Sequence, residues 1–184
     1  MPARHVAVVV GSLRRDSLNR RMAHALGRIA GGRLAFDEVP IDLPLYNQDL
    51  DAAPPQAWTA FRDRVRPADA VLFVTPEYNR SMPGVLKNAI DVGSRPYGQS
   101  VWKGKPAAVV SVSPGTYGGF GANHHLRQCL VFLDMPVLAQ PEMYVAGAGT
   151  LFDDAGEVSA EKTRALMATF VDAFAAWVGR FAAN

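Results

Sequence analysis

One polar segment near the N-terminus combines hydroxyl, amide and guanidinium side chains within eight positions. Ser12, Arg14, Ser17 and Asn19 follow the apolar run Val6 to Val10 and precede a segment with helical periodicity. The start of a helix carries partial positive charge and unpaired backbone N–H groups, which hydroxyls and a guanidinium can complement at a phosphate. The simpler alternative is that Ser17 only caps the helix while the arginine is solvated. We interpret the segment as an anion site.

Two common phosphate-binding motifs do not explain this segment. Neither GxxxxGK[ST] nor GxGxxG directly follows the first apolar run. The glycine-rich stretch 115–121 comes after a later apolar run, which is the wrong place for a dinucleotide fingerprint. We therefore do not expect a nucleoside triphosphate or a dinucleotide in the first loop.

A second polar segment, TPEYNRSMPG at 75–84, has a composition that suits a flat heteroaromatic ligand. Pro76 and Pro83 stiffen it, while Glu77, Tyr78 and Asn79 offer backbone and side-chain groups to the polar edge of a ring system. Backbone N–H groups of these three residues could also stabilise negative charge on such a ring. Taken alone, an ordinary turn with a surface tyrosine explains the segment equally well.

A third segment, SPGTYGG at 113–119, is rich in glycine. Glycines at 115 and 118 remove side chains that would obstruct the close approach of a ring. An unremarkable glycine turn is the alternative interpretation.

The elements that must position these segments alternate along the chain. Continuous apolar runs separated by helical periodicity indicate parallel strands covered by helices on both faces, an α/β fold. Ligands of such sheets bind at the carboxyl ends of strands, where the three segments fall. The predicted strands are Val6 to Val10, Leu34 to Val39, Ala70 to Thr75, Ala107 to Val112, and Pro136 to Leu138 with Glu142 to Val145; the predicted helices are Ser17 to Ala30, Gln56 to Val65, Pro83 to Val92, Gly121 to Leu133 and Ser159 to Ala182.

The last helix has the clearest pattern. Leu166, Phe170, Phe174, Trp177 and Phe181 recur every three or four residues and predict one buried face. Helix starts are also predicted: Ser159 as the cap of this helix with Glu161 in its first turn, and Pro83 within the first turn of the third helix.

The composition predicts one globular domain spanning residues 1–184. The chain has 49% hydrophobic and 20% charged residues, enough apolar surface for a single core at this length. With 19 basic against 17 acidic residues, we expect no nucleic acid partner. No stretch approaches the roughly 20 apolar residues of a membrane span, and no signal segment is evident. The single cysteine, Cys129, fits a cytoplasmic location.

Other reactive side chains have simpler explanations. His124 and His125 are adjacent, so on a helix they point in different directions and do not form a metal-binding pair at i and i+4. Cys129 lies among leucines and is interpreted as a small core residue. Lys87 and Asp91 are spaced as a solvated ion pair on a helix. No metal site is predicted.

Three segments together carry a resemblance to a known family. GSLRRDSLN at 11–19, TPEYNRSMPGVLKNAID at 75–91 and SVSPGTYGGFG at 111–121 resemble the signature segments of the NADPH-dependent FMN reductases. The likeness extends over nearly the whole chain and is greatest to bacterial quinone and chromate reductases, including HLRQ at 125–128 and VFLD at 131–134. It implies a flavodoxin-like three-layer sandwich with strand order 2-1-3-4-5, bound FMN, NADPH or NADH as electron donor, and homodimers that pair into homotetramers.

The resemblance also implies roles for residues in the three segments. Arg80 and Tyr117 would form the substrate mouth. Arg80 stands where relatives often have an aromatic residue, and the stretch 121–124 differs from the basic and aromatic residues associated with the tetramer contact and the substrate mouth. The implied cofactor-binding residues are Ser12, Arg14, Ser17, Leu18 and Asn19 around the phosphate, Pro76, Glu77, Tyr78 and Asn79 along the isoalloxazine, and Ser113, Gly115 and Gly118 on its other side.

The implied activity is a reductase in which hydride passes from the nicotinamide to flavin N5 and on to a quinone, with chromate, azo compounds and free flavin as further acceptors. One site used in turn by donor and acceptor predicts ping-pong kinetics. No general acid is assigned, although Tyr78 and Glu77 are the nearest candidates. The alternative is a flavodoxin-like electron carrier or redox sensor acting on a protein partner, which the near-neutral charge of the chain disfavours because such carriers are strongly acidic.

Overall fold

A computed structural model describes residues 2–181. Its five strands form one sheet in the order β2-β1-β3-β4-β5, and every neighbouring pair is parallel. The predicted α/β class and the strand order implied by the resemblance are therefore confirmed. The strands are β1 (Arg4–Val10), β2 (Leu34–Glu38), β3 (Ala70–Thr75), β4 (Ala107–Val112) and β5 (Met143–Val145).

Five helices cover the two faces of the sheet. Buried residues of the first and last helices pack in one hydrophobic core, and those of the middle three pack in a second core on the opposite face. None of the helices within residues 2–181 is long and apolar enough to cross a bilayer. The helices are α1 (Leu18–Ala30), α2 (Gln56–Val65), α3 (Gly84–Gly93), α4 (Phe120–Phe132) and α5 (Glu161–Phe181), and two short 3-10 helices lie at Gln48–Leu50 and Ala148–Thr150.

The central strands are apolar at consecutive positions because both of their faces are buried. In β1, Val6 and Val8 belong to the core shared with α1 and α5, whereas Ala7 and Val9 belong to the core shared with α2, α3 and α4. Side chains alternate between the faces of a strand, so a strand covered on both sides needs an apolar residue at every position. This pattern is typical of an interior strand, and β1 lies between β2 and β3.

The fifth strand is shorter than the sequence predicts. Pro136 to Leu138 is not a strand; Val137 forms only an isolated bridge with Ala107. Pro136 has no N–H group and serves as an acceptor for the Ala107 amide at 3.0 Å. Regular pairing with β4 is limited to Met143–Val145.

The buried face of α5 also differs from the prediction. Phe170 and Phe174 are buried, as expected, but Leu166 and Trp177 are only partly buried and Phe181 is exposed. The prediction joined the aromatic residues and overlooked the aliphatic ones between them. The residues of α5 that are buried in the core are Met167, Phe170, Val171, Phe174 and Val178.

Two predicted helix starts are wrong in detail. Ser159 does not cap α5, because its hydroxyl donates to the carbonyl of Leu151 at 3.2 Å and the helix begins at Glu161. Pro83 lies outside α3 as its N-cap residue, since its ψ of 148° is extended rather than helical. Glu161 does lie in the first turn of α5, as predicted.

Candidate active site at the carboxyl edge of the sheet

The loops that follow β1, β3 and β4 surround one cavity of about 240 Å³. Adjacent parallel strands bring their carboxyl ends to the same edge, so segments up to about 100 residues apart along the chain meet there. Nine of the twelve cofactor-binding residues implied by the resemblance line this cavity, and two further residues, Val112 and Pro114, join them. The lining residues are Ser12, Arg14, Ser17, Leu18, Asn19, Pro76, Glu77, Tyr78, Val112, Ser113 and Pro114.

Ser17 both caps α1 and faces the cavity. Its backbone is extended, and its hydroxyl oxygen accepts a hydrogen bond from the N–H of Arg20 at 3.2 Å. A hydroxyl that accepts one bond still has its proton to donate, so capping the helix leaves Ser17 able to bind an anion. The two interpretations of this residue are therefore compatible. Ser12, also buried, lies beside it.

Asn19 carries an unpaired polar atom at the cavity. The residue is buried, its side-chain nitrogen donates to the carbonyl of Val112 at 3.5 Å, and its Oδ1 has no hydrogen-bond partner among the described residues. An unsatisfied buried acceptor costs about 1–3 kcal/mol, which a ligand donor would recover. Exchanging the amide nitrogen and oxygen would instead direct two carbonyl oxygens at each other.

The loop after β3 contains a tight two-residue turn. Tyr78 and Ser81 exchange backbone hydrogen bonds of 2.9 and 3.0 Å, and both residues between them, Asn79 and Arg80, have positive φ values of 51° and 66°. Positive φ at both central residues defines a primed hairpin turn. The N–H of Tyr78 is used within the turn, so among the three amides of this segment it is not free to stabilise charge on a ligand ring. Asn79 is not among the cavity-lining residues.

Glu77 lines the cavity but is engaged with the next loop. Its Oε2 accepts a hydrogen bond from the N–H of Ala122 at 3.0 Å, in the first turn of α4. The N-cap residue of that helix, Gly119, has no side chain, so a carboxylate from the β3 loop supplies the cap and complements the positive end of the helix. The candidate acid is therefore an inter-loop helix cap.

Gly121 makes the close contact between these two loops possible. A Cβ atom at this position would lie 2.8 Å from the carbonyl oxygen of Arg80 and 3.0 Å from Oε2 of Glu77. The sequence showed a glycine where the resemblance led us to expect larger residues, but it did not show the reason. Only the pairing of the β3 loop with α4 reveals it.

Two implied contacts in the loop after β4 lie outside the cavity lining. Gly118 has a φ of 60°, and a Cβ there would approach the backbone of Tyr144 to 2.9 Å, so this glycine allows packing against β5. Gly115 donates its N–H to the hydroxyl of Ser113 at 3.1 Å, which orients a residue that does line the cavity. Both glycines act on the shape of the loop.

Aromatic side chains cluster around the loop after β4 and the start of α4. The guanidinium carbon of Arg80 is 5.2 Å from the ring centroid of Tyr117. Phe120, His124 and Tyr144 cluster nearby, with the His124 and Phe120 rings 4.3 Å apart and His124 Nε2 2.9 Å from the Tyr144 hydroxyl. Burial, together with the hydrogen bond and charge of Glu142, raises the pKa of Tyr144 to about 12, so its hydroxyl stays protonated.

The other reactive side chains lie in structural contacts. His124 and His125 diverge, the second contacting the Ser81 hydroxyl at 2.7 Å, and no metal-binding group of three side chains occurs within residues 2–181. Cys129 is partly buried against the core, and burial raises the pKa of its thiol, which favours the protonated form. Lys87 contacts both oxygens of Asp91 at 2.8 Å, as the predicted ion pair.

The gathered signature segments agree with a family comparison. The family model described as NADPH-dependent FMN reductase matches residues 4–150. The chain belongs to the NADPH-dependent FMN reductase family. Members are oxidoreductases that use FMN and NAD(P)H, so the chain is an enzyme, and the electron-carrier alternative is not favoured.

Individual relatives extend the FMN reductase match to almost the full chain. It is 65% identical over 175 residues to a quinone reductase of Pseudomonas putida, covering 94% of both chains. A 2-hydroxy-1,4-benzoquinone reductase of Burkholderia sp is 51% identical over 174 residues, covering 94% of this chain and 95% of the relative. The solved structure of the flavoenzyme FerB, an NAD(P)H:(acceptor) oxidoreductase of Paracoccus denitrificans, superposes with a TM-score of 0.93 at 46% identity, covering 97% of this chain and 99% of FerB.

The cavity of this FMN reductase fits the chemistry of its cofactor. Ser12, Ser17 and the start of α1 provide donors for a phosphate, and Arg14 provides positive charge. The unpaired Oδ1 of Asn19 is an acceptor, so it suits a ribityl hydroxyl better than a phosphate oxygen. Different residues would thus contact different groups of the cofactor. Asn19 would contact the ribityl chain next to the phosphate, and not the phosphate itself.

Proposed function

We propose that this protein is an NAD(P)H-dependent quinone reductase. One reduced nicotinamide and one proton convert a quinone to its quinol, a transfer of two electrons with no other co-reactant. The observation that carries the proposal is the convergence of nine family-signature residues on one cavity at the carboxyl edge of the sheet. The names of the relatives from Pseudomonas putida and Burkholderia sp support a quinone as acceptor.

FMN supplies the chemistry when bound, because its ring system takes hydride from a nicotinamide and gives it to an acceptor. The residues of the chain would bind and orient the cofactor. Ser12, Arg14 and Ser17 would hold the phosphate, and Asn19 would accept a hydrogen bond from a hydroxyl of the ribityl chain. Apolar lining residues, such as Val112 and Pro114, keep water from part of the cavity.

The protein contributes no dedicated proton donor to this proposal. Glu77 is committed to the N–H of Ala122 and to Arg80, and its carboxylate holds two loops together. Tyr78 is half exposed at the cavity, where water has equal access. A quinol receives its proton from solvent.

Donor and acceptor are proposed to use the same site in turn. Initial rates measured over a grid of NADPH and benzoquinone concentrations should give parallel double-reciprocal lines. Lines that intersect would contradict a shared site while leaving quinone reduction itself intact.

The experiment that tests the activity is direct. The purified protein, saturated with FMN, is mixed with NADPH, and absorbance at the nicotinamide band is followed with and without 1,4-benzoquinone. We expect NADPH to be oxidised much faster with 1,4-benzoquinone than in its absence, where oxygen is the acceptor. A flavin-loaded sample without such turnover would overturn the proposal, and comparison of NADH with NADPH in the same assay determines the donor preference.

Chromate, azo compounds and free FMN are proposed as further acceptors, to be tested in the same assay. We also propose a cytoplasmic location, which the single protonated thiol of Cys129 supports. A single domain over residues 1–184 is proposed because both hydrophobic cores pack on one sheet. One calorimetric transition would support the domain assignment.

A homo-oligomer is the proposed state of the chain. Near the end of α4, 74% of Val131 and 89% of Phe132 is exposed, and Tyr97 is almost fully exposed. Exposed large apolar side chains this close together favour a subunit contact, with a second copy as the occupant implied by the family resemblance. Light scattering should give a mass of two or four chains, and V131K/F132E should lower it; a monomeric wild type would overturn the proposal.

A further inference from the structure

A cation and an aromatic ring face each other beside the cavity. Arg80 belongs to the loop after β3 and Tyr117 to the loop after β4, and the guanidinium lies 5.2 Å from the ring centroid. Both are open to solvent, with 74% of the Arg80 side chain and 68% of Tyr117 exposed. Arg80 contacts Glu77, and Tyr117 follows Pro114 by three residues; Glu77 and Pro114 both line the cavity.

The backbone fixes where the Arg80 side chain emerges. Arg80 has a φ of 66° in a turn closed by two hydrogen bonds between Tyr78 and Ser81. Positive φ costs a residue with a Cβ about 1 kcal/mol, so the surroundings must hold it there. The carbonyl of Arg80 packs against Gly121 of α4, which supports the turn from the other side.

Most of the guanidinium remains available to a ligand. Within residues 2–181 its hydrogen-bond partner is Oε1 of Glu77, at a long 3.4 Å, and the other oxygen of that carboxylate is used by Ala122. A guanidinium has five N–H donors in a planar fork that matches an oxyanion and stacks on aromatic rings. Arg80 therefore has N–H donors available to a ligand beside the face of an aromatic ring.

We propose that Arg80 and Tyr117 select planar acceptors that carry a negative charge, specifically quinones with an ionised hydroxyl or a carboxylate. The ring would lie against the tyrosines and the oxyanion against the guanidinium. This inference rests on the proposed quinone reduction. A hydroxyl on a quinone ring is a vinylogous acid, ionised at neutral pH, and the 51% identical relative is named for a quinone of this kind.

The phosphate of the nicotinamide donor is the other anion that Arg80 could meet. In ping-pong kinetics the values of kcat/KM for donor and acceptor are independent, so a change at Arg80 shows which of the two it serves. The donor case would lower kcat/KM for NADPH and spare NADH. The acceptor case would lower kcat/KM for the anionic quinone and spare the neutral one.

The test compares FMN-loaded wild type with Arg80→Gln, using 1,4-benzoquinone as neutral acceptor and 2-hydroxy-1,4-benzoquinone as anionic acceptor. Loss of an exposed charge contact should lower kcat/KM for the anion about fivefold relative to the neutral quinone. Arg80→Lys keeps the charge but not the planar fork of donors, so its kcat/KM for the anionic quinone should lie between those of wild type and Arg80→Gln. The ratio of the two acceptors in wild type should also fall as salt is raised.

Arg180→Gln is the matched control. Arg180 is an exposed arginine 5.5 Å from the ring of Trp177 on α5, so the variant removes the same charge from the same kind of pair away from the cavity. It should leave the acceptor ratio unchanged. Glutamine keeps the Cβ and backbone demands of position 80, so folding of the turn is not altered.

A binding measurement separates failure of this inference from failure of the proposed function. Naphthalene-2-carboxylate, which the enzyme does not reduce, should shift the flavin spectrum of wild type with higher affinity than its uncharged amide, and Arg80→Gln should abolish the difference. The inference would be overturned if Arg80→Gln lowered kcat/KM equally for both quinones, or if it lowered kcat/KM for NADPH alone. It would also be overturned if wild type bound the carboxylate no more tightly than the amide. Absence of benzoquinone turnover in wild type would overturn the proposed function without changing the binding result.

Discussion

At the scale of single residues, residues of the same type near the cavity differ in the contacts that they make. Arg14 and Arg15 are adjacent and both exposed, yet only Arg14 lines the cavity. Ser12 and Ser17 are both buried in the lining, yet within residues 2–181 only the Ser17 hydroxyl accepts a hydrogen bond from α1, from the N–H of Arg20. These differences allow the charge, the cap and the ligand contact to be tested separately.

We expect Arg14→Gln to weaken FMN binding about tenfold, because a charge-assisted phosphate contact is lost. The ratio of rates with different acceptors should not change, since this residue lies at the phosphate end. The dissociation constant is measured by quenching of FMN fluorescence on titration with apoprotein. Arg15→Gln, which removes the neighbouring charge outside the cavity, is the control; an equal loss in both variants would indicate a general electrostatic effect.

We expect Ser17→Ala and Ser12→Ala to differ in the protein without FMN. Loss of the cap in Ser17→Ala should lower the free energy of unfolding by about 1 kcal/mol, whereas Ser12→Ala should stay within about 0.5 kcal/mol of wild type. Both should bind FMN more weakly. Urea unfolding of the apoprotein and FMN titration measure the two effects, and unchanged FMN affinity in both would remove these hydroxyls from the phosphate site.

At the scale of elements, one carboxylate connects the loop after β3 with the start of α4, two segments that are far apart in the sequence. Glu77 at the end of β3 caps α4, whose own N-cap residue is glycine, and Gly121 allows the carbonyl of Arg80 to approach the helix. The loop that lines the cavity therefore depends on a helix whose contacting residue lies 45 positions further along the chain. A change in α4 should reach the cofactor through this contact.

We expect Gly121→Ala to destabilise the apoprotein by about 1–3 kcal/mol, although alanine favours helix, because the added methyl would lie 2.8 Å from a backbone oxygen. The matched control is Gly84→Ala in the first turn of α3, where an added Cβ meets nothing within 4 Å. It should be neutral or stabilising by up to about 0.5 kcal/mol. Urea unfolding measures both, and equal effects of the two variants would contradict the proposed close packing.

At the scale of the whole molecule, ion pairs connect elements across the sheet edge. Asp37 of β2 accepts a hydrogen bond from Nε of Arg64 on α2 at 2.9 Å. Hydrogen bonding and charge from Arg64, more than the contact with His5, hold the pKa of the Asp37 carboxyl below its ordinary value. The ionised form is therefore favoured by folding.

We expect Asp37→Asn to be less stable than wild type near neutral pH and to approach wild type in acid. A lowered pKa in the folded state gives stability that is present above the unfolded pKa and lost as pH falls through the folded value, here below about pH 4. Urea unfolding of both proteins over this range measures the difference. A deficit of the same size at pH 7 and pH 2.5 would show that Asp37 acts by packing. Adding Arg64→Gln to Asp37→Asn should cost little more if the two act as a pair.

The sequence by itself determined the sheet and its ligand edge. β3 and β4 begin and end at the predicted residues, because strands buried on both faces must be apolar throughout and polar residues mark where they stop. The same rule placed Ser12, Arg14 and Ser17 at a helix start that follows a strand. Local chemistry sufficed for these features.

Only the tertiary structure decided the contacts between segments far apart in the chain. The sequence named Glu77 as a candidate acid, but the approach of α4 makes it a cap, and it offered Gly118 to a ligand, whereas β5 requires that glycine for packing. The free Oδ1 of Asn19 is likewise set by the position of Val112. Periodicity and motif spacing report what a residue does within its own element, while its partners across space depend on how the elements pack.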